Sequence, residues 1–391
     1  MGHSKINIAM IDPVGIKAGM DHYDMLLLSG IQHENYCIEL FSNFTSEKKN
    51  VKVNQVFFNT GVSKVSAITS NFVGFFKALR ICKSNKTEWI MLHVFRAGLF
   101  DLFTFGLTRM MGFKICAIVH DIESLDTLTL PVIRKIVIGK LPHLRIVHNE
   151  FCKSELIKSM DVPIEKSTKV IPHVHFKHLF TAYQEVPGML EQLKDNPHLP
   201  GKIHPQLSKC IQDKTPIFLF FGQIKKAKGL EILLEALSQS TTNFKLIIAG
   251  KVRDDQWSRY QDIITVLNLK DRVFPVIRHI SDEERDYLFS ISKAIILPYT
   301  RIYQSGVLLM AMSFPKLVLA SDLAPNAELI SHNKNGLLFQ AGNPTELAKK
   351  IDALQCDTLN TNSIEQQAFK DIEEFYSPEK IGVLFREVLV K

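Results

Sequence analysis

Two short stretches carry groups that could hold an anion where a helix begins. In FFGQIKKAKGLEILLEAL (220–237) an apolar run ends at Phe221, Gly222 permits a tight exit, and Lys225 and Lys228 precede a helix opening near Gly229. In YQSGVLLMAMSFPKLVLASD (303–322) Ser305 could supply a hydroxyl and Gly306 would let a ligand approach the backbone closely. The amides of Ser305, Gly306 and Val307 would carry the unpaired donors and positive end of a helix start. That combination suits a phosphate, and cations on one loop facing amides on another would grip a diphosphate from two sides. Serine is also an ordinary helix cap and lysine an ordinary surface charge. What favours a site is that both stretches stand at the ends of apolar strands.

The elements that must position these groups read as two successive arrays of buried parallel strands and helices. KINIAMID, WIMLHV, FKICAIVH, LRIVHN and TKVIPH occur in the first half; PIFLFFG, FKLIIAG, RVFPVI, AIILPY and KLVLAS in the second. Continuous apolar runs of this length between helical stretches indicate strands covered on both faces. The expected fold class is therefore α/β, with two doubly wound, Rossmann-like domains. Residues 1–180 form the expected first domain, 181–214 a linker rich in proline and polar residues, and 215–375 the second domain. Residues 376–391 form a last helix, with Ser377 as cap and Pro378 at its first position, a candidate to pack back on the first domain.

Length and composition are compatible with this. The 391 residues can close two cores, and 46% hydrophobic with 22% charged residues is a globular composition. The six cysteines, Cys37, Cys82, Cys116, Cys152, Cys210 and Cys356, never form a CxxC pair, which argues against zinc and against a disulfide framework. Asp12, Pro13 and Lys17 interrupt any signal-peptide core, and no run of about 20 apolar residues is present, so the expected location is cytoplasmic. The net charge of +7 lies entirely in residues 1–180, the remainder being balanced.

The runs FFGQIKKAKGLEILLEAL, LIIAGK, ISDEERDYLFSISKAIILPY, QSGVLLMAMSFPKLVLASD and AELISHNKNGLLFQAGNPTELAKKI resemble, in order and spacing over about 216–355, the donor half of a family 4 retaining glycosyltransferase of the GT-B fold, the "glycosyl transferases group 1" type. VGIKAGMDHYDMLLL, AIVHDIES and KVIPHVH are more loosely similar to its first domain, placing Gly15, Gly19 and Met20 in a loop near acceptor or donor. No GxGxxG fingerprint is present, which disfavours a dinucleotide dehydrogenase.

The resemblance implies two domains facing across a cleft. It implies that Lys228 and Lys225 neutralise the diphosphate of a UDP- or GDP-linked sugar, with Lys228 catalytic, and that His120 reaches the donor sugar as a second catalytic residue. Gly222, Arg278, His279, Tyr303, Gln304 and Glu328 would contact nucleotide or sugar, with the base against VIRHI. A carboxylate such as Glu328 is equally explained as a helix-start residue satisfying the dipole. Two family glutamates are replaced here by Ile302 and Met310. No Asp-x-Asp motif occurs, so no metal is implied, and no cofactor either. His173, His175 and His178 could mimic a metal site but lack a nearby carboxylate.

On the acceptor side, FVGFFKALRICKSNK sets Phe72, Phe75, Phe76 and Leu79 at helical spacing, with Lys77, Arg80 and Lys83 on another face. Such a helix suits an anionic membrane surface or packs on the sheet with a solvated basic side. No recognition module for nucleic acid is present. The function implied is a retaining, metal-independent hexosyltransferase of surface polysaccharide assembly, acting on a saccharide or lipid-linked saccharide at the inner face of the membrane. A sugar-nucleotide epimerase of the same shape and a non-catalytic nucleotide-sugar-binding subunit are the alternatives.

Overall fold

A computed structural model describes residues 5–16, 19–46, 51–58, 64–122, 130–179, 199–253, 256–354 and 360–389. Cys356 and residues 181–198 of the expected linker lie outside them. The chain divides into two units, Met1–Val174 with Phe375–Lys391, and His175–Glu374.

The first unit is a seven-stranded sheet of β1 (Ile6–Ile11), β2 (Tyr36–Ser42), β3 (Lys52–Gln55), β4 (Trp89–Val94), β5 (Lys114–Val119), β6 (Leu144–Val147) and β7 (Thr168–Val170). Every pair is parallel, and the order is β3-β2-β1-β4-β5-β6-β7. Helices α1 (Met20–Ile31), α2 (Lys64–Ser84), α3 (Leu99–Met110) and α4 (Glu150–Lys158) connect the strands. Central strands β4 and β5 are buried almost throughout, which is why they read as unbroken apolar runs.

The second unit is a six-stranded parallel sheet of β8 (Ile217–Phe221), β9 (Lys245–Ala249), β10 (Val273–Val276), β11 (Ala294–Leu297), β12 (Leu317–Ser321) and β13 (Leu337–Phe339), in the order β10-β9-β8-β11-β12-β13. Its helices are α5 (Leu230–Gln239), α6 (Trp257–Val266), α7 (Asp282–Ile291), α8 (Gly306–Ser313), α9 (Pro344–Ala353) and α10 (Thr361–Tyr376). Residues 199–203 and 207–212, read from sequence as linker, form two short helices in this unit, because Ile203, Leu207 and Cys210 recur at helical spacing and are buried. The last helix, α11 (Pro378–Leu389), belongs to the first unit, where Ile381, Phe385 and Leu389 join its core.

In each sheet the strand order reverses once, between β1 and β4 in the first and between β8 and β11 in the second. Crevices at the carboxyl ends of such reversals are where open parallel sheets take their ligands.

Candidate functional site

The reversal between β8 and β11 gathers both anion-binding stretches. Leaving β8, the chain turns at Gly222 (φ +107°), makes a 3₁₀ turn over Lys226–Lys228, and enters α5 from Gly229 (φ +67°). A side chain on Gly229 would lie 1.8 Å from the Pro298 carbonyl oxygen, and one on Gly222 3.2 Å from Val307 Cγ2. The Thr300 amide donates to the Ala227 carbonyl at 3.0 Å. The lysine loop is therefore fixed against the segment that leaves β11.

That segment ends in α8. The Ser305 hydroxyl, buried, accepts from the Leu308 amide at 3.1 Å and lies 3.3 Å from the Tyr299 hydroxyl. It is thus used as the helix cap, and the anion-binding capacity falls to the amides of Gly306 and Val307, which no helix start can pair internally. The Lys228 ammonium sits 3.8 Å from the centroid of the Tyr299 ring. Tyr299 thereby brings Lys228 and Ser305 to one place. Cation, amides and a positive helix end converge as a diphosphate requires.

The other expected donor-side residues are distributed around this point. Tyr303 is buried, its hydroxyl accepting from the Arg301 guanidinium at 3.0 Å; Gln304 and Lys225 are half-buried. Ile302 is buried and Met310 half-buried, so these two positions present apolar surface. Arg278 and His279 lie just beyond β10, and Arg278 makes a bidentate pair with Glu284 at 2.7 and 2.8 Å. That hydrogen bond, against the opposing effect of burial, holds the Glu284 carboxyl down to about 2. Glu328 is exposed and follows the turn Ala324–Ala327 instead of opening it, so a helix-start role is ruled out by its position.

The reversal in the first sheet carries a second cluster. After β1 the Asp12 carboxylate accepts from the amides of Val14 (2.8 Å) and Gly15 (2.7 Å), fixing the loop that leads through Gly19, in the left-handed region at φ +74°, to buried Met20 at the start of α1. Gly15 (φ +51°) leaves no room for a side chain, since its Cβ would fall 2.0 Å from Asn43 Oδ1. One turn into α1, buried Asp24 accepts from His93 Nε2 at 2.9 Å, and His93 Nδ1 lies 2.9 Å from His120 Nε2.

His93, His120, His148 and His173 stand at the ends of four adjacent strands, β4 to β7, with successive ring centroids 5.0, 5.3 and 5.3 Å apart. That spacing is the strand spacing of the sheet beneath them. The Tyr23 ring contacts all four.

Burial pushes His120 well below the usual imidazole range, His148 down to about 3 and His173 to about 4, with neighbouring imidazoles adding to the effect. His93 moves the other way: burial disfavours its charge, but the Asp24 carboxylate, and behind it Asp12, outweigh burial and raise it. Burial raises Asp24 itself to about 8 despite His93.

A cavity of about 560 Å³ opens beside this cluster, with Asp12 and His93 in its lining together with Phe75, Phe95, Phe100 and Phe105. Asp101, also in the lining, caps α3 through the Gly98 amide, and burial raises it to about 6.

Among the described residues, Asp12, Asp24 and His93 are the one set of three whose ligand atoms lie within 4.8 Å of one another. In this set Asp12 accepts two amides and both His93 nitrogens are in hydrogen bonds, while the buried Asp24 Oδ2 makes none. Among the described residues, His173, His175 and His178 do not form a set of close ligand atoms.

Sequence reasoning named His120 but missed Asp24, His93 and His148. The signals were a carboxylate on the apolar stripe of α1 and a histidine at the end of each successive strand.

Two all-parallel, doubly wound units define the class: the fold is that of GT-B glycosyltransferases, as in Anabaena HepE, solved with UDP-glucose (TM-score 0.74, 18% identity, covering 98% of this chain and 99% of that one). Residues 208–371 match the family model of glycosyl transferases group 1. An uncharacterized glycosyltransferase of Methanocaldococcus jannaschii is 27% identical over 183 residues, 46% of each protein. The alpha-D-kanosaminyltransferase of Streptomyces kanamyceticus is 26% identical over 151 residues, 37% of this chain and 38% of that one. The chain thus spans less than half the length of the curated relatives it matches.

Proposed function

We propose that the protein moves a sugar, with retention and without a metal, from a UDP- or GDP-linked donor to a saccharide or lipid-linked saccharide acceptor in surface polysaccharide assembly. The observation that carries this reading is the convergence of Lys228 and the α8 start at the β8/β11 reversal. Negative charge grows on the diphosphate as the sugar departs, and a preplaced ammonium and amides meet it without reorganising. Lys225 adds charge from the same loop, and Gly222 lets the backbone approach. Tyr303, Gln304 and Glu328 would recognise hydroxyl groups of sugar or ribose. With Arg278 held by Glu284, contact with the base falls to His279. The complex of HepE with UDP-glucose supports the donor class.

The acceptor is assigned to the first unit, where Asp12, Pro13 and Val14, just ahead of Gly15, Gly19 and Met20, line the aromatic-walled cavity and His120 stands in the adjoining cluster. The exposed face of α2 combines Ile68, Val73 and Phe76 with Lys77 and Arg80, the Arg80 guanidinium lying 4.8 Å from the Phe76 centroid. That mixture supports a peripheral position on the inner face of a membrane. Among the described residues no helix is long and apolar enough to cross one.

The test is donor turnover with a lipid-linked acceptor, preceded by a thermal-shift panel of UDP- and GDP-sugars. Lys228→Ala is expected to lower kcat/KM by about a hundredfold with the fold intact. Unchanged turnover would remove the diphosphate assignment. The apolar surface at Ile302 and Met310 favours one second reading, a subunit that binds donor without transferring it. Donor-induced stabilisation with no turnover on any acceptor would select it.

A further inference from the structure

Lys228 is held by an aromatic ring instead of a counterion. Its ammonium lies 3.8 Å from the centroid of Tyr299, and among the described residues no carboxylate pairs with it. A ring face attracts a cation without cancelling its charge, so the ammonium stays available to an anion. A carboxylate in the same place would repel an incoming phosphate. The backbone makes the seat rigid. A methyl on Gly229 would fall 1.8 Å from the Pro298 carbonyl oxygen, and the Thr300 amide donates to the Ala227 carbonyl at 3.0 Å, so residues 227–229 run against 298–300 with Lys228 opposite Tyr299.

At its other end the same tyrosine meets α8. The Ser305 hydroxyl donates to the Tyr299 hydroxyl at 3.3 Å while accepting from the Leu308 amide at 3.1 Å. We propose that Tyr299 is a positioning residue of the diphosphate site, a rigid spacer whose ring seats the Lys228 ammonium and whose hydroxyl holds the cap of α8. Cation and helix amides then keep a fixed separation before any ligand arrives. Lysine alone would bring a long flexible stem to the task, and the freedom of that stem would be lost on binding. Seated on a buried tyrosine, the ammonium has already lost it. As the sugar departs, the charge growing on the diphosphate meets a cation that does not have to move.

Ordinary packing would arrange the same residues differently. A lysine that only covers an aromatic ring lays its methylene stem on the face and turns its charged head to water. Here the ammonium nitrogen itself stands over the ring at contact distance. The other lysine ammoniums over rings among the described residues are 5.1 to 6.0 Å from their centroids. Tyr299 is also 1% exposed, so its ring cannot swing aside without opening the core.

This inference rests on the reading of Lys228 as the cation that meets the diphosphate, and its test separates the two. In the full chain carrying ¹³C-labelled lysine and no ligand, the ε-methylene protons of Lys228, assigned by their loss in Lys228→Ala, are expected upfield of the other lysines, shielded by the Tyr299 ring. An unshifted Lys228 in the wild type overturns the proposal, even if no Tyr299 variant folds. Calorimetric titration with UDP and with GDP then measures affinity. Tyr299→Leu, which removes the ring, is expected to weaken the tighter of the two about tenfold. Tyr299→Phe, which keeps the ring and loses the hydroxyl, should stay within about threefold of wild type. Made in Lys228→Ala, the leucine change should cost nothing further, since a ring that acts through Lys228 has nothing left to hold. An equal loss in both backgrounds overturns the proposal, and so does wild-type affinity in a folded Tyr299→Leu. If Lys228 is shifted as described while Lys228→Ala binds both nucleotides as tightly as wild type, the seating of Lys228 stands and its diphosphate role falls.

Discussion

Gly229 and Gly306 differ in what an added side chain would meet. At Gly229 an added methyl would lie 1.8 Å from the Pro298 carbonyl oxygen, in a left-handed conformation that L residues rarely adopt. Gly229→Ala should therefore cost about 2–4 kcal/mol and loosen the lysine loop, as a lowered melting temperature would record. At Gly306 the nearest neighbours of such a methyl are Phe176 ring atoms at 3.8 and 3.9 Å, an ordinary contact. Gly306→Ala should leave stability within about 0.5 kcal/mol of wild type, because alanine suits the first turn of a helix at least as well as glycine. It should nevertheless weaken UDP-sugar binding about tenfold by crowding an anion at the amides. Calorimetric titration decides: unchanged affinity would show that the α8 start is not where the phosphate lies.

The same scale shows what the sequence could reveal about the site. Lys228 and Ser305-Gly306 could be singled out as candidates because their neighbours in the chain announce a strand end and a helix start. His93 and His148 could not, because their meaning comes from lateral neighbours in the sheet, which a single strand does not specify, and Asp24 could not, because its partner His93 stands 69 residues further along the chain.

At the scale of elements, ten of the thirteen strands were legible as apolar runs, the edge strands β7 and β10 among them. Only β2, β3 and β13 escaped the apolar-run reading. β2 carries Glu39, buried but facing Lys52 across the parallel register with β3; β3 is a half-exposed edge strand of four residues, and β13 has three.

Helix starts can also be tested energetically. α7 opens with a capping box in which Ser281 and Glu284 serve each other, and Glu284 is further bound by Arg278. Because the folded carboxyl is held at about 2 against an ordinary 4.5, its stabilisation is complete above the unfolded value and is lost as pH falls through the folded one. Glu284→Gln should cost about 1–3 kcal/mol at neutral pH, in the range of hydrogen bonds to charged groups, and the difference from wild type should shrink toward pH 2. Denaturant melts at pH 7 and pH 3 measure this; an equal difference at both would assign the loss to shape and not to charge.

At the scale of the whole molecule, the chain completes its first unit with its last helix. α11 crosses α1 with backbone against backbone: an added methyl on Gly382 would fall 1.8 Å from the Gly30 carbonyl oxygen, and one on Gly30 1.8 Å from that of Pro378. The Arg386 guanidinium donates to the Gly30 and Ile31 carbonyls at 2.6 and 3.2 Å, supplying partners that the end of α1 lacks. α1 in turn carries Tyr23 and Asp24, so the C-terminal helix supports the polar cluster from behind although it contains none of its residues. Gly382→Ala must separate the two helices or distort one, at a cost of about 2–4 kcal/mol. Because Gly382, Gly30 and Asp24 all belong to the first unit, the loss should be local. Hydrogen exchange should quicken through α1 and α11, while a UDP-sugar should still slow exchange in the loops that follow β8 and β11. Equal loosening of both units would mean that they unfold together, and unaltered exchange in α1 would mean that α11 supports the cluster less closely than its glycine contacts require.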